Sequence, residues 1–211
     1  MAKIGVIGAS GKAGSRILKE AADRGHEVTA IVRDSSKLDQ HGGAVLEKDI
    51  FELSREDLSP FDVVVNAFGA SMGEEHLHVE AGNVLIEALK GTDIRLIVVG
   101  GAGSLYVDEA QTIKVVDTPD FPDFVKPTAL NQAKNLGILQ GTEALKWTFI
   151  SPSADFAIGS RSGSYQKGKD NLLVNSAGRS YVSYEDYAVA VVDEIENPQH
   201  IKERFTVVSD L

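Results

Sequence analysis

Residues 3–14 read Lys3-Ile4-Gly5-Val6-Ile7-Gly8-Ala9-Ser10-Gly11-Lys12-Ala13-Gly14. The run Lys3–Ile7 is short and rich in β-branched residues, as a buried strand is. It enters a G-x-x-G-x-x-G loop directly. Gly8 suits the tight turn, Gly11 lets backbone approach a pyrophosphate, and Gly14 lets a helix pack closely on the strand. The helix then predicted over 12–24 carries Gly14, Ile17, Leu18 and Ala21 on one face, and Gly25 stops it. Its first N–H groups and its dipole favour phosphate. Glycines alone often serve only turns. Between the first strand and first helix of an alternating chain, Gly8, Ala9, Ser10, Gly11, Lys12, Ala13 and Gly14 predict a dinucleotide site.

The alternation continues. Strands are predicted over 27–32, 44–48, 62–65, 94–99, 147–150 and 205–208. Helices are predicted over 74–90, 128–145 and 184–196, the last capped by Ser183 and ended by Asn197-Pro198. Strands alternating with helices imply crossovers and a parallel sheet. The expected fold is α/β: a doubly wound parallel sheet of about seven strands in a single domain, 1–211. Stretches 100–126 and 152–179 break the rhythm. Each follows a strand, so both are expected over the carboxyl edge of the sheet, where ligands bind.

The end of the second strand selects the cofactor. An NAD site usually places a carboxylate there for the ribose 2′-hydroxyl. This chain has Arg33, which suits a 2′-phosphate and predicts NADP(H) over NAD(H). The adjacent Asp34 is a competing candidate, and a merely solvated strand end is the other reading. Asp49, ending the third strand, is placed to bond an adenine amino group. Asn66, Ala67, Phe68 and Gly69, ending the fourth, either let the cofactor lie against the backbone or form a simple turn.

Composition narrows the function. The 211 residues include 31 acidic and 21 basic side chains, a net charge of −10. Such a surface repels phosphate backbones and anionic membranes, so neither nucleic acid nor membrane is an expected partner. No apolar run approaches the ~20 residues of a membrane span. Cysteine is absent, which excludes disulfides, thiolate nucleophiles and cysteine-ligated metals and fits a cytoplasmic location. No metal is expected. His76 falls on the polar face of its helix and His78 toward the apolar face, so they cannot share an ion. His26, His41 and His200 fall in loop-like places.

The stretches 4–14 (IGVIGASGKAG), 32–38 (VRDSSKL), 98–105 (VVGGAGSL), 147–156 (WTFISPSADF), 183–188 (SYEDYA) and 204–207 (RFTV) together resemble the atypical branch of the short-chain dehydrogenase/reductase superfamily. They resemble most the small proteins named NADH-flavin reductases, related to NmrA-like proteins and to biliverdin reductase B. The resemblance implies a Rossmann sheet with NADP(H) along residues 8–14, Arg33 and residues 66–69. It implies a nicotinamide near Gly100, Gly101 and Pro152, under residues 152–156.

Better-known members of that superfamily use a Tyr-x-x-x-Lys pair for proton transfer. Tyr165 and Lys169 have the spacing but lie after the sixth strand, whereas the pair belongs on the helix before it. On that helix Lys134 is in place and Leu130 stands at the tyrosine position. Lys134 falls on a stripe of Leu130, Ala133, Gly137, Gly141 and Ala144, so it either reaches the cofactor ribose or snorkels outward. Ser104 sits where the family's active-site serine or threonine falls; its other reading is a loop cap. Phe156 and Tyr165 are expected either to wall the acceptor site or to pin a loop.

Without the tyrosine, an alkoxide lacks a proton donor. A delocalised ring needs none placed, because its charge spreads. The sequence thus predicts an NAD(P)H-dependent oxidoreductase acting on a flavin-like or quinone-like planar acceptor. The alternative is a non-catalytic NADP(H)-binding redox sensor of NmrA-like type. A sugar-nucleotide isomerase or lyase is a third reading, for which the chain leaves little room.

Overall fold

A computed structural model describes residues 1–38 and 43–210. His41 lies outside the described residues. The chain alternates as its periodicity predicts: β1 (Lys3–Ile7), α1 (Lys12–Asp23), β2 (Glu27–Val32), β3 (Ala44–Glu47), a short α2 (Arg55–Leu58), β4 (Val63–Asn66), α3 (Leu77–Leu89), β5 (Arg95–Val99), α4 (Lys126–Gln140), β6 (Lys146–Ser151), β7 (Asp155–Ala157), β8 (Tyr165–Gly168), β9 (Tyr181–Ser183), α5 (Tyr184–Glu196) and β10 (Glu203–Ser209).

Eight strands form one sheet in the order β3-β2-β1-β4-β5-β6-β10-β8. Seven run parallel, and β8 pairs antiparallel with β10 at the far edge. The chain winds outward from β1 to β3, then returns to lay β4 on the other side of β1. That reversal opens a crevice above the carboxyl ends of β1 and β4. The valines of β4 are buried because helices cover both faces. On one face Ile17 and Leu18 of α1 pack with Tyr187 and Val191 of α5. On the other, Leu85 and Leu89 of α3 pack with Leu136 and Leu139 of α4. Burying each such side chain stabilises by about 1.5–3 kcal/mol.

The eighth strand corrects the reading of 152–179. Only its beginning reaches the carboxyl edge. Residues 165–168 leave to pair with β10, and residues 155–157 pair with 181–183 in a separate two-stranded ribbon. The stripe assigned to α4 is also wrong. Leu130 is 49% exposed, and the buried positions are Ala129, Asn135, Leu136 and Leu139. Packing against α3, rather than apolar character alone, decides that face. The helix ends at Gln140 because Gly141 caps it. At its start, α5 has the expected cap: the Ser183 hydroxyl accepts from Asp186 N at 2.9 Å.

A charged network is buried beneath the sheet, away from the crevice. Arg95 donates to the Glu194 carboxylate, to Glu194 O at 2.7 Å and to Thr148 Oγ1 at 2.6 Å. His200 Nδ1 meets Glu194 at 2.8 Å, and its ring stacks on Phe205. Burial alone would raise the Glu194 pKa. The bonds from His200, Arg95 and Gln199 outweigh it and hold the carboxyl below its ordinary value.

Candidate cofactor and acceptor site

A cavity of about 1150 Å³ opens over the carboxyl ends of β1, β2, β4, β5 and β6. Ordinary small-ligand pockets are roughly 300–1,000 Å³, so it has room for a dinucleotide and more. Gly8, Ser10, Gly11, Lys12 and Ala13 line one end. Gly8 has φ +73°, and a β-carbon there would lie 2.5 Å from the Ala67 carbonyl oxygen. Ala9 and Gly14 do not line the cavity: they are buried behind the loop and shape it. Gly11 caps α1 without any side-chain hydrogen bond, and the first turn has no acidic residue. The helix therefore presents bare N–H groups and no opposing charge, as phosphate recognition requires.

Arg33 and Asp34 separate. Arg33 lines the cavity, exposed, and no described carboxylate pairs with it. Asp34 turns to its own backbone, accepting from Ser36 N at 3.1 Å and Ser36 Oγ at 2.6 Å. The Ser36 hydroxyl and amide hold its carboxyl below the ordinary value. Asp49 lines the cavity while accepting from Phe51 N at 3.0 Å. Asn66 is buried, and its Oδ1 accepts from Phe68 N at 3.1 Å. It therefore folds the turn that puts Ala67, Phe68 and Gly69 on the cavity wall.

Gly100, Gly101, Pro152 and Phe156 line the middle. A β-carbon at Gly100 would lie 2.1 Å from the Phe149 ring, and one at Gly101 would lie 2.1 Å from Gln132 Oε1. The buried Phe149 ring leaves room only for glycine at Gly100, whereas the flexible end of Gln132 could move aside at Gly101. Phe156 also packs on Tyr184 and Tyr187, with ring centroids 4.1 and 4.8 Å away. It serves the wall and the loop together.

Three expected site residues are elsewhere. Ser104 is buried behind the loop, outside the cavity lining, and accepts from Arg204 Nη1 at 3.0 Å. Arg204 is itself anchored to Asp170. Lys134 is exposed on the outer side of α4 and does not line the cavity, because Ala129 and Gln132 face inward instead. Tyr165 lies on the edge strand β8, where its hydroxyl donates to Asp193 Oδ2 at 2.6 Å. Burial and that carboxylate raise its pKa. None of the three reaches the space they were expected to share.

Sequence reasoning missed His78, Thr128, Gln132, Phe51, Phe121 and Tyr184, all of which line the cavity. Only His78 carried a signal, a polar residue on an apolar helix face. Phe51 and His78 each meet the edge of Phe68 with ring centroids 5.8 Å apart. No group of three or more metal-ligating side chains converges among the described residues. No described helix is long and apolar enough to cross a membrane.

The glycine cradle, the uncapped helix start and the basic groups Lys12 and Arg33 fit a dinucleotide. A family model described as NAD(P)H-binding matches residues 8–198. This chain belongs to the NAD(P)H-binding family. Within that family, a curated relative is the uncharacterized protein YwnB of Bacillus subtilis strain 168, 63% identical over 210 residues and 99% of each chain. A solved structure from Streptococcus pneumoniae TIGR4, provisionally named an NADH-flavin reductase, is 44% identical. It covers 100% of both chains with a TM-score of 0.94. Another, from Bacteroides thetaiotaomicron and provisionally named an epimerase, is 34% identical. It covers 99% of this chain and 97% of its own, with a TM-score of 0.85. The shared architecture is that of an NAD(P)H-binding oxidoreductase-like protein.

Proposed function

We propose that this protein is an NADPH-dependent reductase of a flavin-like or quinone-like planar acceptor. One observation carries the reading. The cavity extends beyond the nucleotide loop into a space walled by Phe121, Val115, Val125 and Phe156, and among the described residues no activated acid stands there. Leu130 occupies the tyrosine position and points outward, 49% exposed. Tyr184 does line the cavity, but burial raises its pKa and makes it a poor proton donor.

The bound cofactor would supply the hydride. The chain's part is binding, orientation and exclusion of water. Gly8, Gly11 and the start of α1 would hold the pyrophosphate, Asp49 and residues 67–69 the adenosine half, and Gly100, Gly101 and Pro152 the nicotinamide half. Arg33 would pair with a 2′-phosphate. The turning of Asp34 into its own bend supports NADPH over NADH, since no carboxylate then opposes that phosphate. The Streptococcus relative's name agrees with a flavin acceptor. An epimerase reading gains no support from the site, which lacks the tyrosine–lysine pair for proton shuttling at a sugar carbon.

The test is NADPH oxidation by the purified protein with riboflavin, menadione and a panel of aldehydes. Turnover with a planar acceptor and none with aldehydes is expected. Tight NADPH binding with no oxidation by any acceptor would instead favour a sensor.

A further inference from the structure

Charge divides the cavity along the strand order. Over the ends of β1, β2 and β3 the ionised side chains that line it are Lys12, Arg33, Lys48 and Asp49. Lys48 is paired with Asp57, 2.7 Å away, which leaves Lys12 and Arg33 to face phosphate. Over the ends of β4, β5 and β6 the ionised side chains that line it are Glu74 and Asp120, both acidic. Among the described residues no lysine or arginine lines that half. Lys114 sits over the Tyr106 ring instead, and Lys126 is exposed at the start of α4, outside the lining.

Both carboxylates belong to the part beyond the nucleotide loop. Asp120 adjoins Phe121, which walls that space with Val115, Val125 and Phe156. Glu74 lies three residues before α3, and α3 packs closely on α4, which begins right after Val125: a β-carbon at Gly82 would lie 2.2 Å from Asn135 Oδ1. Both carboxylates are exposed, and neither has a hydrogen bond or ion pair among the described residues. His78, on the first turn of α3, also lines the cavity. It is 8% exposed and has no hydrogen-bond partner among the described residues. Buried polar groups are normally paired, so an unpaired one at a cavity wall marks a place where a ligand supplies the partner. Burial holds its imidazole below the ordinary pKa, so it adds no positive charge to this half at pH 7.

We infer that Glu74 and Asp120 select an acceptor whose planar ring carries a positive charge in a C=N⁺ bond, and that they turn away anionic acceptors. The inference rests on the reductase reading and narrows its acceptor. Three features of the site meet in such a ring. Aromatic faces, here Phe121 and Phe156, attract a cation. Two unpaired carboxylates attract it too, and they repel a ligand's carboxylate, sulfonate or phosphate, a field that apolar cavity walls focus. The site also offers no activated acid among the described residues, and a cationic ring needs none. Hydride forms one new C–H bond on the ring carbon, and its electron pair neutralises the C=N⁺. The positive charge passes to the cofactor that gave the hydride, and no proton moves. A neutral ring instead ends with negative charge beside two carboxylates until it collects a proton.

The full-length protein holding tetrahydro-NADP, an analogue whose ring is uncharged and gives up no hydride, is titrated by calorimetry. The ligands are N-methylacridinium and anthraquinone sulfonate, two tricycles of opposite charge. In parallel, NADPH oxidation with each and with menadione is measured above the uncatalysed rate. The cation is expected to bind at least about tenfold more tightly than the anion. Asp120→Asn and Glu74→Gln should each weaken cation binding about threefold, within the range of exposed charge pairs, and the double variant about tenfold. The anion should bind these variants as well as the parent or better. Both side chains are exposed and unbonded, so the variants should fold as the parent does. Anion binding as tight as cation binding, equal losses for both ligands, or unchanged cation affinity in the double variant overturns the inference. Reduction of menadione or anthraquinone sulfonate but not of N-methylacridinium overturns it and leaves the reductase reading standing. Selective cation binding that the double variant loses, in a protein that oxidises NADPH with no acceptor, upholds the recognition and overturns the reductase reading.

Discussion

Gly14 lies against Gly8 so closely that a β-carbon on Gly14 would stand 2.2 Å from the Gly8 carbonyl oxygen. The contact brings the first turn of α1 up to the end of β1. It sets the height at which the helix N–H groups meet the cavity. Gly14→Ala should push helix and loop apart. Overpacking of this kind costs about 1–3 kcal/mol. The expected result is a lower urea midpoint together with weaker NADPH binding. An unchanged midpoint would mean that the helix moves freely and does not set the loop.

Gly11 differs from Gly14. Its backbone is extended, with φ −81° and ψ 170°, and a β-carbon would meet only the Gly8 carbonyl oxygen, at 3.1 Å. Gly11→Val should therefore fold, while its side chain fills the space proposed for a pyrophosphate. Calorimetry should show no NADPH binding and circular dichroism a native spectrum. Normal binding would show that the nucleotide does not cross this loop.

Arg33→Ala should reduce NADPH affinity by about 1.5–3 kcal/mol, the worth of a charged hydrogen bond. That is about ten- to a hundredfold or slightly more. NADH affinity should stay the same. Equal affinities of the parent protein for the two cofactors would remove the assignment.

Ser104→Ala tests a residue that the fold takes away from the chemistry. Arg204 is buried and donates to the Ser104 hydroxyl. Losing that acceptor should cost about 1–3 kcal/mol in stability, visible as a lower melting temperature. NADPH affinity should change little. A large loss of turnover at unaltered stability would return Ser104 to the site.

The Arg95–Glu194–His200 network predicts a pH dependence. The folded Glu194 pKa lies below its unfolded value, so its contribution to stability is full above the ordinary carboxylate range. It is lost as pH falls through the folded pKa. Glu194→Gln should flatten that acid limb in denaturation curves. It should also cost about 3–5 kcal/mol near neutrality, because Arg95 keeps its buried charge without a counter-ion. An equally steep acid limb in the variant would locate the dependence elsewhere.

The order of strands and helices, the glycine loop and the strand ends that line the cavity were legible from the chain alone. Each depends on residues within a few positions of one another: a run of valines, glycines three apart, an arginine where a strand stops. Local backbone geometry and burial on both sheet faces make those patterns nearly sufficient. Contacts between distant segments decided the rest. Ser104 faces inward because Arg204, a hundred residues later, holds it. Tyr165 is drawn to the sheet edge by β10 and Asp193. Lys134 points out and Gln132 in because α4 packs Asn135 against Gly82 of α3. Side-chain direction at a cavity is set by whichever neighbour fills the adjacent space, and that neighbour lies far away along the chain. His78 and Gln132 therefore line one cavity only in the folded molecule.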